Sequence, residues 1–202
     1  MKAKSLLLLL TMILFALGSL SCGGEAIADN NEVAVLETNY GRIVLEFIPQ
    51  DAPKHVANFK KLAAEGFYNG TKFHRLLKNK NKSIAIQGGD PNTINGDPDT
   101  WGLGQPGQET VPPEFSTRLK HVRGIVSAAR RGNDINSATS QFFICVSTEP
   151  GWDGQYSIFG RVIEGMSVVD SIVGAPVWPS TDRPMDPVVV NKAYLVKREE
   201  LK

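Results

Sequence analysis

Glycine and proline interrupt this chain every few residues, and that punctuation limits it to short elements. There are 19 glycines and 12 prolines in 202 residues, scattered along the chain and densest over 88–113. The spacing suits a turn-rich β protein better than a helical bundle. The clearest strand is residues 42–48, where Ile43, Leu45 and Phe47 alternate with Arg42 and Glu46, the period of a half-buried strand. With the run at 33–38 and the turn Asn39-Tyr40-Gly41 it predicts an antiparallel hairpin. Asp51 is placed to cap a following helix, with Pro53 in its first turn. Val56, Phe59, Leu62 and Ala63 share one face of that helix, and Gly66 ends it. Further strands are expected over 71–77, 83–87, 124–129, 141–146, 157–162 and 187–196. A second helix is expected over 164–173, with Met166, Val169 and Val173 inward. The polar stretch Lys78-Asn79-Lys80-Asn81-Lys82 stands as an insert between two strands. Residues 88–113 form a long loop without periodicity, of a length that is usually functional or mobile. The count is about eight strands and two helices, with no repeat and no second domain. Periodicity alone leaves a helix-capped closed barrel and a sandwich both open.

Composition excludes several classes. Lys plus Arg is 22, Asp plus Glu is 21, and the net charge is +1, so there is no broad basic field for nucleic acid. Two cysteines cannot build a disulfide scaffold. His55, His74 and His121 lack the spacing of metal ligands. No Gly-Lys-Ser/Thr follows Gly88-Gly89-Asp90, so this is no phosphate loop. Ser127 and Ser140 lack the G-x-S-x-G elbow of serine hydrolases.

The first residues read as an address. Lys2 and Lys4 precede an apolar run from Leu6 to Phe15, the pattern of a secretory signal, too short for a spanning helix of about 20 residues. Residues 1–21 are the expected signal peptide. Ser19-Leu20-Ser21-Cys22 resembles a bacterial lipobox, although Ser19 stands where an aliphatic residue is usual. Cys22 is then the lipidated N-terminus, and residues 22–31 a flexible tether to a folded domain over 32–202. Ala26-Ile27-Ala28 offers the alternative, an ordinary A-x-A cleavage site. The expected location is the periplasmic face of a bacterial membrane, or with A-x-A cleavage a soluble periplasmic or secreted form. The remaining thiol, Cys145, lies in an apolar run and reads as a small buried hydrophobe.

Three sets of motifs follow in order. Phe73-His74-Arg75 precedes Gln87-Gly88-Gly89-Asp90. Gly124-Ile125-Val126-Ser127-Ala128-Ala129 precedes Ser140-Gln141-Phe142-Phe143-Ile144. Trp152-Asp153-Gly154 leads into Ile158-Phe159-Gly160-Arg161-Val162. Val111-Pro112-Pro113-Glu114-Phe115 and Asn136-Ser137-Ala138 belong to the same pattern. Together they closely resemble the cyclophilin-type peptidyl-prolyl cis–trans isomerases, over roughly Val33 to Val196. The resemblance implies a mainly β fold, a closed eight-stranded antiparallel β-barrel capped by two α-helices, with the active site in a groove on its outer wall. It implies that Arg75 is the catalytic donor and that Gln87 binds the substrate backbone and orients the arginine. It makes Phe143 the floor of the proline pocket and Ala129 and Arg130 the edge that pairs with the substrate. Phe73, Gln141, Trp152 and Tyr156 join the substrate-binding surface, as do Ile84 and Ala85, which stand where the family usually has Phe and Met. Trp152 occupies a usual Leu position and Tyr156 a frequent His position. Many members have Asn where Arg130 stands.

Rotation about an X-Pro bond breaks no bond and moves no proton, so the reaction calls for no nucleophile, metal or cofactor. It calls for an apolar slot and donors that favour the twisted amide. The expected activity is isomerisation of proline-containing polypeptides, assisting the folding of exported proteins, by a monomer anchored to membrane through Cys22 and without nucleic acid. The alternative is a proline-peptide-binding chaperone module with little or no turnover, favoured by the altered wall at Ile84 and Ala85.

Overall fold

The structure, a computed structural model, describes residues 31–179 and 181–201. The expected signal peptide, Cys22 and nearly all of the tether lie outside the described residues. Eight strands form one sheet: β1 (Glu32–Thr38), β2 (Gly41–Phe47), β3 (Arg75–Asn79), β4 (Lys82–Gly88), β5 (Ile125–Ala128), β6 (Phe142–Cys145), β7 (Ile158–Glu164) and β8 (Val190–Lys197). Their order is β3-β4-β6-β5-β7-β2-β1-β8, antiparallel at every pairing. The end strands β3 and β8 meet just ahead of their first residues. Lys72 bridges Val189, the Phe73 N–H donates to the Val188 carbonyl, and the Val190 N–H donates to that of Thr71. The closure is one bridge with flanking hydrogen bonds, not a full strand pair.

Alternation along the strands sorts the side chains into an interior and an outer wall. Leu36, Ile43, Leu45, Leu76, Ile86 and Phe142 point into one core. Helix α1 (Pro53–Ala64) adds Val56, Phe59 and Ala63, and helix α3 (Met166–Gly174) adds Val169, Ile172 and Val173. Phe59 sits at the centre, 4.8 Å from Tyr68 and 5.4 Å from both Phe142 and Phe159. The barrel is therefore filled. The alternate residues Ala85, Phe143 and Cys145 form a separate apolar cluster on the outer wall, with Ile125, Ala129 and Ile158. Gly165 enters α3 at φ +88°, where a Cβ would lie 2.2 Å from the Arg42 carbonyl oxygen, so no larger residue fits this crossing.

Several local expectations change. Asp51 does not cap α1. Ala52 holds that position with no side-chain bond, and Glu114, just after the long loop, takes the role instead. Its Oε1 and Oε2 accept from the backbone N–H groups of Lys54 and His55, each at 3.0 Å. A carboxylate there satisfies otherwise unpaired donors and complements the helix dipole. Asp51 is engaged by Arg118 and by Ser116 at 2.6 Å. The expected strand 71–77 begins only at Arg75, because Lys72 is drawn into bridges to Asp90 and Val189. The polar stretch 78–82 is no separate insert: it extends β3 and β4 into a tight hairpin, with Asn79 pairing Lys82. The long loop contains one helical turn, α2 (Asn92–Asn95), and a 3₁₀ turn at Pro98–Thr100. Buried Asp90 pins it. Its Oδ1 accepts from the Asn92 N–H at 2.9 Å, and its Oδ2 from the N–H groups of Gly102 and Gly104 at 2.5 and 3.3 Å.

Candidate active site

Register places the site. Arg75 on β3 pairs with Gln87 on β4, Gln87 with Phe143 on β6, and Phe143 with Ser127 on β5. These four residues form one row across the outer wall. The small Ala85, two residues from Gln87, leaves a recess beside the Phe143 ring. That recess is a pocket of about 70 Å³ whose walls include Arg75, Gln87, Ala129, Arg130, Trp152 and Tyr156, with Leu77 and Ala85 behind. It has room for a small apolar ring and is far below the about 300–1,000 Å³ of drug-sized sites.

Aromatic packing fixes the floor. Trp152 and Tyr156 meet Phe143 edge-on, with ring centroids 5.0 and 5.3 Å away. His121 stacks beneath it at 6.1 Å. His121 is itself held from both sides: its Nδ1 lies 3.0 Å from Asp153 Oδ1 and its Nε2 lies 3.0 Å from Ser127 Oγ. Burial lowers the His121 pKa and outweighs the pull of Asp153, so the ring is neutral. Nδ1–H then donates to Asp153, and Nε2 accepts from the Ser127 hydroxyl. Ser, His and Asp in this order look like a hydrolase triad, but Ser127 is fully buried. The chain props the pocket floor.

The polar side of the groove is equally tied. Arg75 Nε–H donates to Asp182 Oδ2 at 3.2 Å, which leaves both Nη groups for a ligand. Gln87 Nε2–H donates to Gln141 Oε1 at 3.0 Å, and Gln141 Nε2–H to the Gly102 carbonyl at 3.1 Å. The Gln87 amide oxygen is left to accept. Arg130 lies 4.8 Å over the Tyr156 ring and donates to the carbonyls of Gln155 and Gly132 at 3.0 and 2.9 Å, so its charge holds the rim together. Cys145, paired with Ala85 in register, is fully buried, and burial first, then Glu149 and Asp153, pushes its thiol up to about 12. It is chemically inert.

Most of the anticipated residues therefore meet here: Arg75, Gln87, Phe143, Ala85, Ala129, Arg130, Trp152 and Tyr156 line the pocket, and Gln141 stands behind Gln87. Two do not. Phe73 precedes β3 in a stretch that does not alternate as a strand, and its ring is buried in the core, edge-on to Phe142 at 5.9 Å. Ile84, next to the irregular register between Leu77 and Lys78, packs against the outer-wall cluster of Ala85 and Phe143 without lining the pocket, where Leu77 from the neighbouring strand takes the wall. The side-chain hydrogen bond on Arg75 comes from Asp182, while Gln87 is bonded to Gln141. Asp182 sits in an aperiodic loop, and only the pairing geometry reveals it. Among the described residues no three His, Cys, Asp or Glu side chains gather as a metal site.

An outer-wall groove of a filled antiparallel barrel, with an apolar slot beside an arginine and a glutamine, defines the class of protein whose site can seat a small apolar ring next to hydrogen-bonding groups. Residues 33–195 match the family described as cyclophilin type peptidyl-prolyl cis-trans isomerase. The human peptidyl-prolyl cis-trans isomerase-like 1 is 40% identical over 164 residues, 79% of this chain and 89% of its own. The isomerase ppi1 of Schizosaccharomyces pombe is 39% identical over 160 residues, 78% of this chain and 95% of its own. Among solved structures, a cyclophilin type isomerase of Cryptosporidium parvum, crystallised in the presence of the dipeptide Ala-Pro, superposes with a TM-score of 0.71 at 30% identity, covering 82% of this chain and 99% of that one. The chain belongs to the cyclophilin-type peptidyl-prolyl cis–trans isomerases and is an enzyme of that class.

Proposed function

We propose that the groove binds proline-containing segments of exported polypeptides and that Arg75 drives rotation about the X-Pro bond. The observation that carries this reading is the single row Arg75–Gln87–Phe143 with an apolar recess beside it. Amide resonance sets a barrier of about 18–20 kcal/mol to that rotation. As the bond twists, the prolyl nitrogen loses conjugation and becomes pyramidal, and its lone pair, no longer shared with the carbonyl, localises on nitrogen. A charged Nη–H of Arg75 that bonds this lone pair stabilises the twisted amide more than the planar one, which is what lowers a barrier. The proline ring rests against Phe143, and the Gln87 amide oxygen accepts from the substrate backbone.

Substituting Arg75 by Ala should lower kcat/KM on a short proline peptide by about 10²–10³, with an unchanged circular dichroism spectrum because the side chain is half-exposed on the outer wall. Arg75→Lys should also be impaired, since an ammonium does not reproduce the planar fork. Near-full activity in a folded Arg75→Ala protein would overturn the assignment and favour the alternative of a binding module without turnover.

We propose further that the enzyme is an exported lipoprotein acting as a monomer, anchored through Cys22 at the periplasmic face. The support is the basic start, the short apolar run and the placement of Cys22 behind Ser21. Two acyl chains anchor stably where one does not. Cys22→Ser should move the protein to the soluble fraction; retention on the membrane sinks the anchor.

A further inference from the structure

The groove does not end at Arg75. A cavity of about 530 Å³ begins at Arg75, Gln87 and Arg130 and runs to Pro98, Trp101 and Arg183. Those last three residues also line a second pocket, of about 190 Å³, completed by Trp178, Met185 and Pro184. The two pockets are thus continuous through shared walls, with the catalytic arginine between them. The second pocket is unlike the first. Its walls include two indoles, three proline rings and a thioether, and two cations face the Trp101 ring, Lys72 at 5.4 Å and Arg183 at 5.9 Å. Lys72 is spent on the Thr93 and Ile94 carbonyls. Arg183 has no carboxylate partner among the described residues, so its guanidinium stands at the rim with its N–H groups available.

The apolar walls are also exposed. Trp178 is 49% and Met185 44% accessible, a high value for residues of this size on a protein without a described partner at that place. They are displayed by a small hairpin. Val177 bridges Pro184, the Trp178 N–H donates to the Arg183 carbonyl at 2.8 Å, and the Met185 N–H donates to that of Pro176 at 2.9 Å. The same hairpin carries Asp182, the partner of Arg75. It therefore joins the two sites mechanically as well as by their surface.

We propose that this pocket binds an aromatic side chain of the same client segment whose proline occupies the Phe143 pocket. The inference rests on the isomerase reading above and extends it to a second anchor. Indole and proline faces and a thioether suit an aromatic ring, and the free guanidinium of Arg183 supplies a cation for its face. An extended chain leaving the proline pocket over Arg75 passes along the connecting cavity to reach it. The consequence is selectivity for unfolded segments that carry an aromatic residue at one fixed spacing from proline, on one side only.

The test uses short synthetic peptides with one proline and one phenylalanine, the phenylalanine moved stepwise away on either side, and a parent with serine in its place. Affinity by calorimetry and kcat/KM for X-Pro exchange should both rise about tenfold at one spacing. Expressed as the ratio to the parent peptide, that gain should vanish in Trp178→Ala and shrink in Met185→Ala. A flat scan at every spacing, or a peak that persists in both variants, overturns the second anchor. Failure to isomerise the parent peptide sinks the isomerase reading instead, while the affinity scan still decides whether the pocket captures an aromatic ring.

Discussion

An arginine on an open groove carries five N–H donors on a long flexible stem, and catalysis needs it held in one orientation. In this protein the hold comes from Asp182. Its carboxylate accepts from Arg75 Nε, and its backbone carbonyl accepts from the N–H of Leu76 at 2.7 Å. Two adjacent residues of β3 are thus gripped by one residue of the hairpin. Asp182 itself sits at φ +35°, alone among the described non-glycine residues in the left-handed region, where aspartate is tolerated better than most. Both side chains are about half-exposed, so the pair adds little to stability; what it fixes is the direction of the guanidinium. A hydrogen bond to a charged group is worth about 1.5–3 kcal/mol before screening, so Asp182→Ala should lower kcat about tenfold with little change in KM. Asp182→Asn should recover part of it. Asp182→Gly separates aim from architecture. It relieves the backbone, so its thermal midpoint should hold or rise while kcat stays low. A residue of purely structural importance would show the opposite, lost stability with kcat kept.

At the scale of elements, what the sequence shows is what repeats. The alternating run at 42–48 and the apolar runs at 33–38 and 141–146 appear as β2, β1 and β6, the last two buried on both faces, and the split of Phe142 from Phe143 between core and groove follows from alternation along the strand. The row Arg75–Gln87–Phe143 is legible because three strands carry motif residues in register. The α1 cap is not, since the acid that caps it, Glu114, is about 60 positions away and a nearer candidate, Asp51, satisfies the local rule. The hairpin of 78–82 is missed because charge and amide content mimic a loop, yet Asn81 N–H closes the turn on the Asn79 side chain at 3.0 Å. The segment 176–185 is missed for a different reason. It has no periodicity, and its shape rests on a few backbone bonds to itself and to β3. Trp101, Trp178 and Asp182 carry no sequence signal of their own, and the closure of the barrel at Lys72 and Val189 brings them beside the row of Arg75 and Gln87.

Across the whole molecule, three histidines sit in three separate places, and burial lowers the pKa of each. His55 lies in the first turn of α1 against Glu114, His74 beside Arg75 and near Asp90, and His121 under Phe143 against Asp153. In each case the neighbouring carboxylate raises the pKa and desolvation outweighs it; for His74 the result is about 4. In the unfolded chain all three titrate near 6.5. Between about pH 6.5 and the lowered native values the unfolded state therefore binds more protons than the native one, and stability must fall as the pH drops through that interval. Each histidine contributes at most about 1.4 kcal/mol per pH unit, and His74 acts over the full span down to about 4. Below that, Glu46, Glu149, Asp153 and Asp170, whose pKa values are lowered by their cationic or backbone partners, add a loss of the same sign. Urea midpoints measured from pH 7.5 to 4.5 should decline steadily from just below pH 7, before the carboxylates titrate. His74→Gln removes the most strongly shifted group, so its profile should be shallower between pH 6 and 4.5 whatever its stability at neutrality. A midpoint that is level down to pH 5 would mean that these imidazoles titrate normally in the native state, and that the neutral His121 beneath the pocket floor is wrongly assigned.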